Sequence, residues 1–307
     1  MLRGIVKWSF VAIGIALLIG LLVLAEAHWE MRGIAPPLPS RVEIDRALLE
    51  GEAPVRLRYV NTAEQRSAGS RIGHPAFLVE WADGRAMLID TGMTEMGAVS
   101  FGKPFELVLR ADPTIAYGSV RDQLGDSAGA IAAVAFTHLH VDHTGGLLPL
   151  CTGNEWRLTV FQTPLQAEKE NFMTSGGRED LGLAACADFA TLGSGPVYRI
   201  PGFPGVVAVA AGGHTPCTTV YFVKVGDVTW VLAGDIAFSH ADIVANRPKP
   251  ALYSYLLVPE WPDRLTELRQ WLTGLESDAK HRVVVSHALD ELEASGMERT
   301  GKSGVVH

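Results

Sequence analysis

Hydrophobic residues fall along this chain in short runs whose period changes from one segment to the next. "AFLVEW" (76–81) and "RAMLID" (85–90) flank Ala82-Asp83-Gly84 and together predict a hairpin. "AIAAVAFT" (130–137) predicts a buried strand. "RLTVFQ" (157–162), "VVAVAA" (206–211), "TTVYFVKV" (218–225), "VTWVLAGD" (228–235) and "RVVVSH" (282–287) predict others, with Gly226-Asp227 as a tight turn. Helical spacing is clearest in "WPDRLTELRQWLTGLE" (261–276), where Leu265, Leu268, Trp271, Leu272 and Leu275 share one face. Ser119–Leu124 predicts a short helix. Thr163-Pro164 supplies a cap and a first-turn proline for a helix over "LQAEKENF" (165–172). Strands interleaved with helices predict an α+β body of layered sheets with helices outside.

One run has a different length altogether. "WSFVAIGIALLIGLLVLA" (8–25) holds 18 uncharged, mostly apolar residues, close to a single membrane crossing. Arg3 and Lys7 precede it while Glu26, His28 and Glu30 follow, which places the N-terminus in the cytoplasm. Ala25-Glu26-Ala27 matches a signal-peptide cleavage pattern, but signal cores run about 7–15 residues. The length therefore favours a retained transmembrane anchor over residues 1–27. Both readings export the remainder to a periplasmic or extracellular space, membrane-anchored if the helix is kept and soluble if it is cleaved. "RGIAPPLPSR" (32–41) carries three prolines, so residues 28–41 read as an extended linker to a single body, 42–307.

Composition narrows the function classes. The chain is 48% hydrophobic and 20% charged, a globular balance, with net charge −8. Such acidity argues against a general nucleic-acid binder, which draws most of its affinity from neutralising phosphates. Cys151, Cys186 and Cys217 leave room for one bridge and a free thiol, or for none.

The chemistry concentrates in "AFTHLHVDHTGG" (135–146). His138, His140 and Asp142 lie at i, i+2 and i+4, which share a face on an extended chain but not on a helix. His143 is out of phase and points away, an arrangement suited to two metals. Gly145 and Gly146 would let the chain turn sharply beside the site. Further ligand-type residues each follow an apolar strand: Asp90 in "AMLIDTG", His214 in "AAGGHTPC", Asp235 in "WVLAGD" and His287 in "RVVVSH". A carboxylate or imidazole at the end of a buried strand, beside a small residue, is where a sheet presents ligands to a cleft.

"THLHVDHTGG", "GGHTP", "LAGD" and "VVVSH", preceded by "LIDTG", resemble in type and order the motifs of the metallo-β-lactamase superfamily, from about Phe77 to His287. The resemblance implies a four-layer αβ/βα sandwich with metals at the edge between two sheets. It also implies that His138, His140 and His214 hold one metal, that Asp142, His143 and His287 hold the other, and that Asp235 bridges them. Asp90 would orient a ligand histidine. Two such cations would share a hydroxide able to attack a carbonyl or phosphorus, and Asp142 would pass a proton to the leaving group. The donor set contains no thiolate, so zinc is the natural choice, with iron or manganese as alternatives.

His143 and Asp235 set the chain apart from the classical antibiotic-cleaving members, which usually lack that histidine and carry cysteine at the second position. The pattern looks more like the branch of glyoxalase II and the quorum-quenching lactonases. Glyoxalase II adds a helical C-terminal extension, whereas only 20 residues follow His287 here. The lactonases place a tyrosine three residues after the bridging aspartate, where this chain has Phe238. Phe238, Tyr253, Tyr255 and Trp261 are the residues expected to line a substrate pocket. The expected function is hydrolysis of a small ester- or lactone-type molecule. Phosphodiester, thioester or β-lactam cleavage is the alternative on the same fold, and a catalytically silent, membrane-tethered binding protein is the non-enzyme alternative.

Overall fold

The structure is a computed structural model and describes residues 2–152 and 157–301, without the side chains of 2–7 and 10. The ends of the predicted segments, at residues 1 and 307, lie outside it, as do the side chains of Arg3 and Lys7. The first sheet is built from β1 (Arg56–Ser67), β2 (Ser70–Glu80), β3 (Ala86–Ile89), β4 (Ile115–Ala116), β5 (Ile131–Ala135), β6 (Leu158–Gln162) and β7 (Ala187–Thr191). The second contains β8 (Tyr198–Arg199), β9 (Val206–Ala210), β10 (Thr219–Val225), β11 (Val228–Leu232) and β12 (His281–Val284), after which β13 (Glu298–Arg299) returns to the first. Their spatial orders are β13-β1-β2-β3-β5-β6-β7, with β4 on β1, and β12-β11-β10-β9-β8.

The helices are α1 (Leu2–Met31), α2 (Arg41–Leu48), α3 (Glu95–Leu109), α4 (Val120–Leu124), α5 (Val141–Thr144), α6 (Leu147–Cys151), α7 (Pro164–Glu168), α8 (Phe172–Leu183), α9 (His240–Val244), α10 (Pro262–Leu275) and α11 (Leu289–Ala294). A π turn spans Tyr253–Leu257.

Period-two side chains divide the core into three layers of contact. Phe77, Val79, Met87 and Ile89 of the first sheet meet Tyr221, Val223 and Leu232 of the second. The alternate residues of the second sheet, Val220, Phe222 and Val231, face Leu265, Leu268 and Leu272 of α10. The alternate residues of the first, Leu78, Leu88, Val134 and Val160, face Val120, Leu147, Leu150 and Leu181. The result is the expected αβ/βα sandwich, with each buried leucine contributing roughly 1.5–3 kcal/mol.

Several local expectations are revised. The helix over 165–172 ends at Glu168; Asn171 then caps a second helix, α8, accepting from the amides of Met173 and Thr174. The proline segment is extended but pinned, because Arg264 donates to the Pro36 carbonyl and Trp271 to that of Pro39. Cys151 and Cys186 form a disulfide, and Cys217 is free and buried.

Candidate metal centre

The site forms where β3, β5, β9, β11 and β12 end, and each strand delivers ligand-type residues just past its last ladder bond. β5 stops at Ala135, and Thr137 then binds in two directions. Its amide and hydroxyl donate to the Asp90 carboxylate at 2.7 and 2.8 Å, while its carbonyl accepts from Thr219 of β10. The root of the histidine motif is thus held by both sheets.

The extended-phase account of this motif fails after His140. Residues 141–144 form one helical turn, α5, and that turn carries Asp142 and His143 into the site. Gly145 and Gly146 keep ordinary helical backbone, with φ −63° and −87°, so no sharp turn is needed there. Close approach is what requires Gly146, because a Cβ would sit 2.1 Å from the Thr91 carbonyl oxygen. Gly177 of α8 is constrained in the same way, 2.1 Å from the Leu139 carbonyl oxygen, which lets that helix close over the motif.

Three imidazoles are oriented from behind by acceptors. His143 Nδ1 donates to Asp90 Oδ2 at 2.9 Å, His214 Nδ1 to Glu260 Oε1 at 2.6 Å, and His287 Nδ1 to the Gly73 carbonyl at 2.6 Å. Since these acceptors cannot donate, Nδ1 carries a proton in each ring, and it is Nε2 that the neutral ring would offer to a cation in the site. Donor atoms of His138, His140 and His214 lie within 4.8 Å of one another, and so do those of His138, His143 and Asp235. Asp235 faces both groups: its Oδ2 is 3.6 Å from His214 Nε2 and 3.0 Å from His287 Nε2, and its Oδ1 is 3.6 Å from His143 Nε2. Asp142 Oδ2 is 3.3 Å from His287 Nε2 and 3.7 Å from His143 Nε2.

These positions fit cations. Among the described residues, His140 Nε2, His143 Nε2, His214 Nε2 and Asp235 Oδ1 are buried atoms with no hydrogen-bond partner. Burying so many unpaired polar atoms is costly unless a ligand satisfies them. Burial opposes ionisation of Asp142 and Asp235, yet His143 beside the first and His287 beside the second hold both well below the usual carboxylate range. Burial, reinforced by His214, pushes His140 down to about 3, leaving it a neutral donor.

Three contributors carried no strand-end signal. His74, buried in the middle of β2, places Nδ1 3.3 Å from Asp142 Oδ2 and groups with Asp142 and His287. Glu260 lies behind His214, and burial's upward push on it is outweighed by Lys249 and His214, which draw it to about 2. Lys249 Nζ donates to Glu260 Oε1 and to the Asp235 carbonyl, both at 2.6 Å, and lies 5.2 Å from the ring centres of Phe238 and Tyr253.

Of the expected pocket residues, Phe238 and Tyr253 meet edge-on at 4.9 Å, and the half-exposed Tyr255 lies on the same π turn as Tyr253. Trp261 donates its backbone amide to the Gly213 carbonyl, beside His214.

Solved structures with this fold include an N-acyl homoserine lactone hydrolase with the product N-hexanoyl-L-homoserine bound at its catalytic metal centre. It is 15% identical, with 79% of this chain and 96% of that one covered and a TM-score of 0.56. A variant of B. thuringiensis AiiA with N-decanoyl-L-homoserine at its active site aligns over 79% and 96% at 14% identity, TM-score 0.56. A probable metal-dependent hydrolase from Staphylococcus aureus aligns over 77% and 90% at 12% identity, TM-score 0.52. No functionally curated protein matches at the level of sequence. The family model described as metallo-beta-lactamase superfamily matches residues 70–287, most of the chain, and with the histidines and aspartates positioned for metal binding this chain belongs to that superfamily of metallohydrolases.

Proposed function

We propose that the protein is a membrane-anchored hydrolase that uses two divalent cations to cleave a small ester- or lactone-type substrate. One observation carries the reading: seven ligand-type side chains from four strand ends converge, and four of their buried inward atoms, Nε2 of His140, His143 and His214 and Oδ1 of Asp235, lack hydrogen-bond partners. His138, His140 and His214 would hold one cation, Asp142, His143 and His287 the other, and Asp235 both. The pair, zinc by the chemistry of its imidazole and carboxylate donors, would supply a nucleophile at neutral pH and polarise the oxygen under attack.

The chain's own groups do the rest. Asp142 stays ionised, so it can accept the proton released on attack and return it to the leaving oxygen. Phe238 cannot donate a hydrogen bond to the substrate carbonyl. Tyr253, edge-on against it, retains its proton, because burial and the nearby Glu260, Asp235 and Asp142 carboxylates all disfavour the phenolate. We assign Tyr253 the role of donor to the carbonyl.

The likeness to lactone hydrolases favours ester or lactone over phosphodiester substrates. Export of the body is supported by the bare apolar helix α1, with a span of 21 residues (Val11–Met31), and by the Cys151–Cys186 bridge, which suits an oxidising compartment. The test is a panel of lactones, aryl esters, thioesters, phosphodiesters and β-lactams, run on metal-loaded wild type beside Asp142→Ala. Lactone or ester turnover that falls about a hundredfold or more in the variant is expected. Turnover unchanged by the substitution, or less than one metal per chain in a fully loaded preparation, would sink the reading.

A further inference from the structure

The last turns of α1 do not stand clear of the body. Ala27 and Met31 are buried, and the Met31 sulfur lies 3.9 Å from the Asn171 amide nitrogen. His28 Nε2 donates to the Tyr255 carbonyl at 3.1 Å, and the two rings lie 5.6 Å apart. A helical span of 21 residues rises about 32 Å, close to the hydrocarbon thickness of a bilayer. In the anchored reading, the turn that touches Asn171 and Tyr255 would emerge at the membrane surface.

Around that point the body exposes several large apolar side chains. Leu252 is 69% exposed, Tyr255 51%, Leu256 51% and Leu257 56%, all in or beside the π turn. Trp29 on the helix is 72% exposed, and Phe172, next to Asn171, 42%. Bare leucines flanked by Trp and Tyr are the chemistry of the membrane interface. The same turn is fastened to the metal centre. Ser254 donates to Glu260 Oε2, whose other oxygen holds His214, and Tyr253 packs edge-on against Phe238.

Resting on the anchored ester-hydrolysing reading above, we propose that the Leu252–Leu257 segment seats in the membrane interface beside the end of the span. The metal centre then opens at the bilayer surface and draws its substrate, an ester or lactone bearing a long acyl chain, from the lipid. At the foot of the helix Glu170 is paired with Arg178 and Arg32 follows Glu30, so the seating rests on the apolar side chains and a zwitterionic surface suffices.

The experiment uses the full metal-loaded chain in phosphatidylcholine vesicles. Leu256→Cys takes an environment-sensitive fluorophore, with Asp83→Cys at the hairpin turn as control; Cys151 and Cys186 are paired and Cys217 is buried. The label at 256 is expected to be quenched by spin-labelled lipid and shielded from an aqueous quencher, and the label at 83 to do the reverse. Identical behaviour at the two positions would overturn the proposal. In the second arm, Leu256→Glu combined with Leu257→Glu is expected to slow hydrolysis of a vesicle-dissolved long-chain ester about tenfold or more while sparing a water-soluble short-chain ester. Equal losses on both would overturn entry from the lipid. Wild type inactive on both esters would overturn the ester reading instead, and the fluorophore would still decide where the segment sits.

Discussion

Asp90 occupies left-handed backbone, φ 61°, at the end of β3, a conformation that costs a non-glycine residue on the order of 1 kcal/mol. The cost is offset because one fully buried carboxylate serves three groups: the Thr137 amide, the Thr137 hydroxyl and the His143 ring. Glu260 acts similarly behind His214, but with a buried lysine balancing its charge. Tyr253, which meets Phe238 edge-on, is the carbonyl donor proposed above. Tyr253→Phe is expected to lower kcat about tenfold with little change in KM. Steady-state kinetics on the preferred lactone or ester would check this, and an unchanged kcat would assign the carbonyl donor elsewhere.

Between elements, polar contacts clamp α9, α10 and β12 together just behind the second sheet's ligand-bearing ends. His240 at the start of α9 pairs with Glu276 at the end of α10, and Glu276 also accepts from the Val283 amide of β12. The hydrogen bond to Glu276 raises the His240 pKa above its ordinary value despite partial burial. The pair's stabilisation is therefore complete below about pH 6 and fades as pH rises through the folded-state pKa. His240→Gln is expected to lower the thermal midpoint more at about pH 6 than at about pH 9; equal losses would mean the contact acts through packing alone.

The strand ends were legible because an apolar run followed by a polar residue is a local pattern, and Asp90, His214, Asp235 and His287 all have it. His74 sits between Gly73 and Pro75 inside a strand, where nothing local marks it. Lys249 and Glu260 follow no local pattern, and only the tertiary fold buries them against each other. Helix α8 was missed because its glycines lower helix propensity; packing of Gly177 on Leu139 overrides that preference. Pro104 likewise disguises α3. The helical turn at 141–144 was misread as extended because four residues are too few to show a period.

Across the whole molecule, cations bound only by the folded state would stabilise both sheets at once. A ligand at a thousandfold excess over its Kd adds about 4 kcal/mol. Chelation is therefore expected to lower the thermal midpoint and readdition of zinc to restore it, with calorimetry as the check; a midpoint indifferent to chelator would place any bound metal outside this cleft. His287 is the last of the seven ligand-type residues along the chain, and its ring is set by the carbonyl of Gly73 in the first sheet, 214 positions earlier. A nascent chain on the ribosome thus lacks one donor until nearly all of both sheets has been synthesised. Completing the cation set reports a finished fold and cannot serve as the seed from which folding starts.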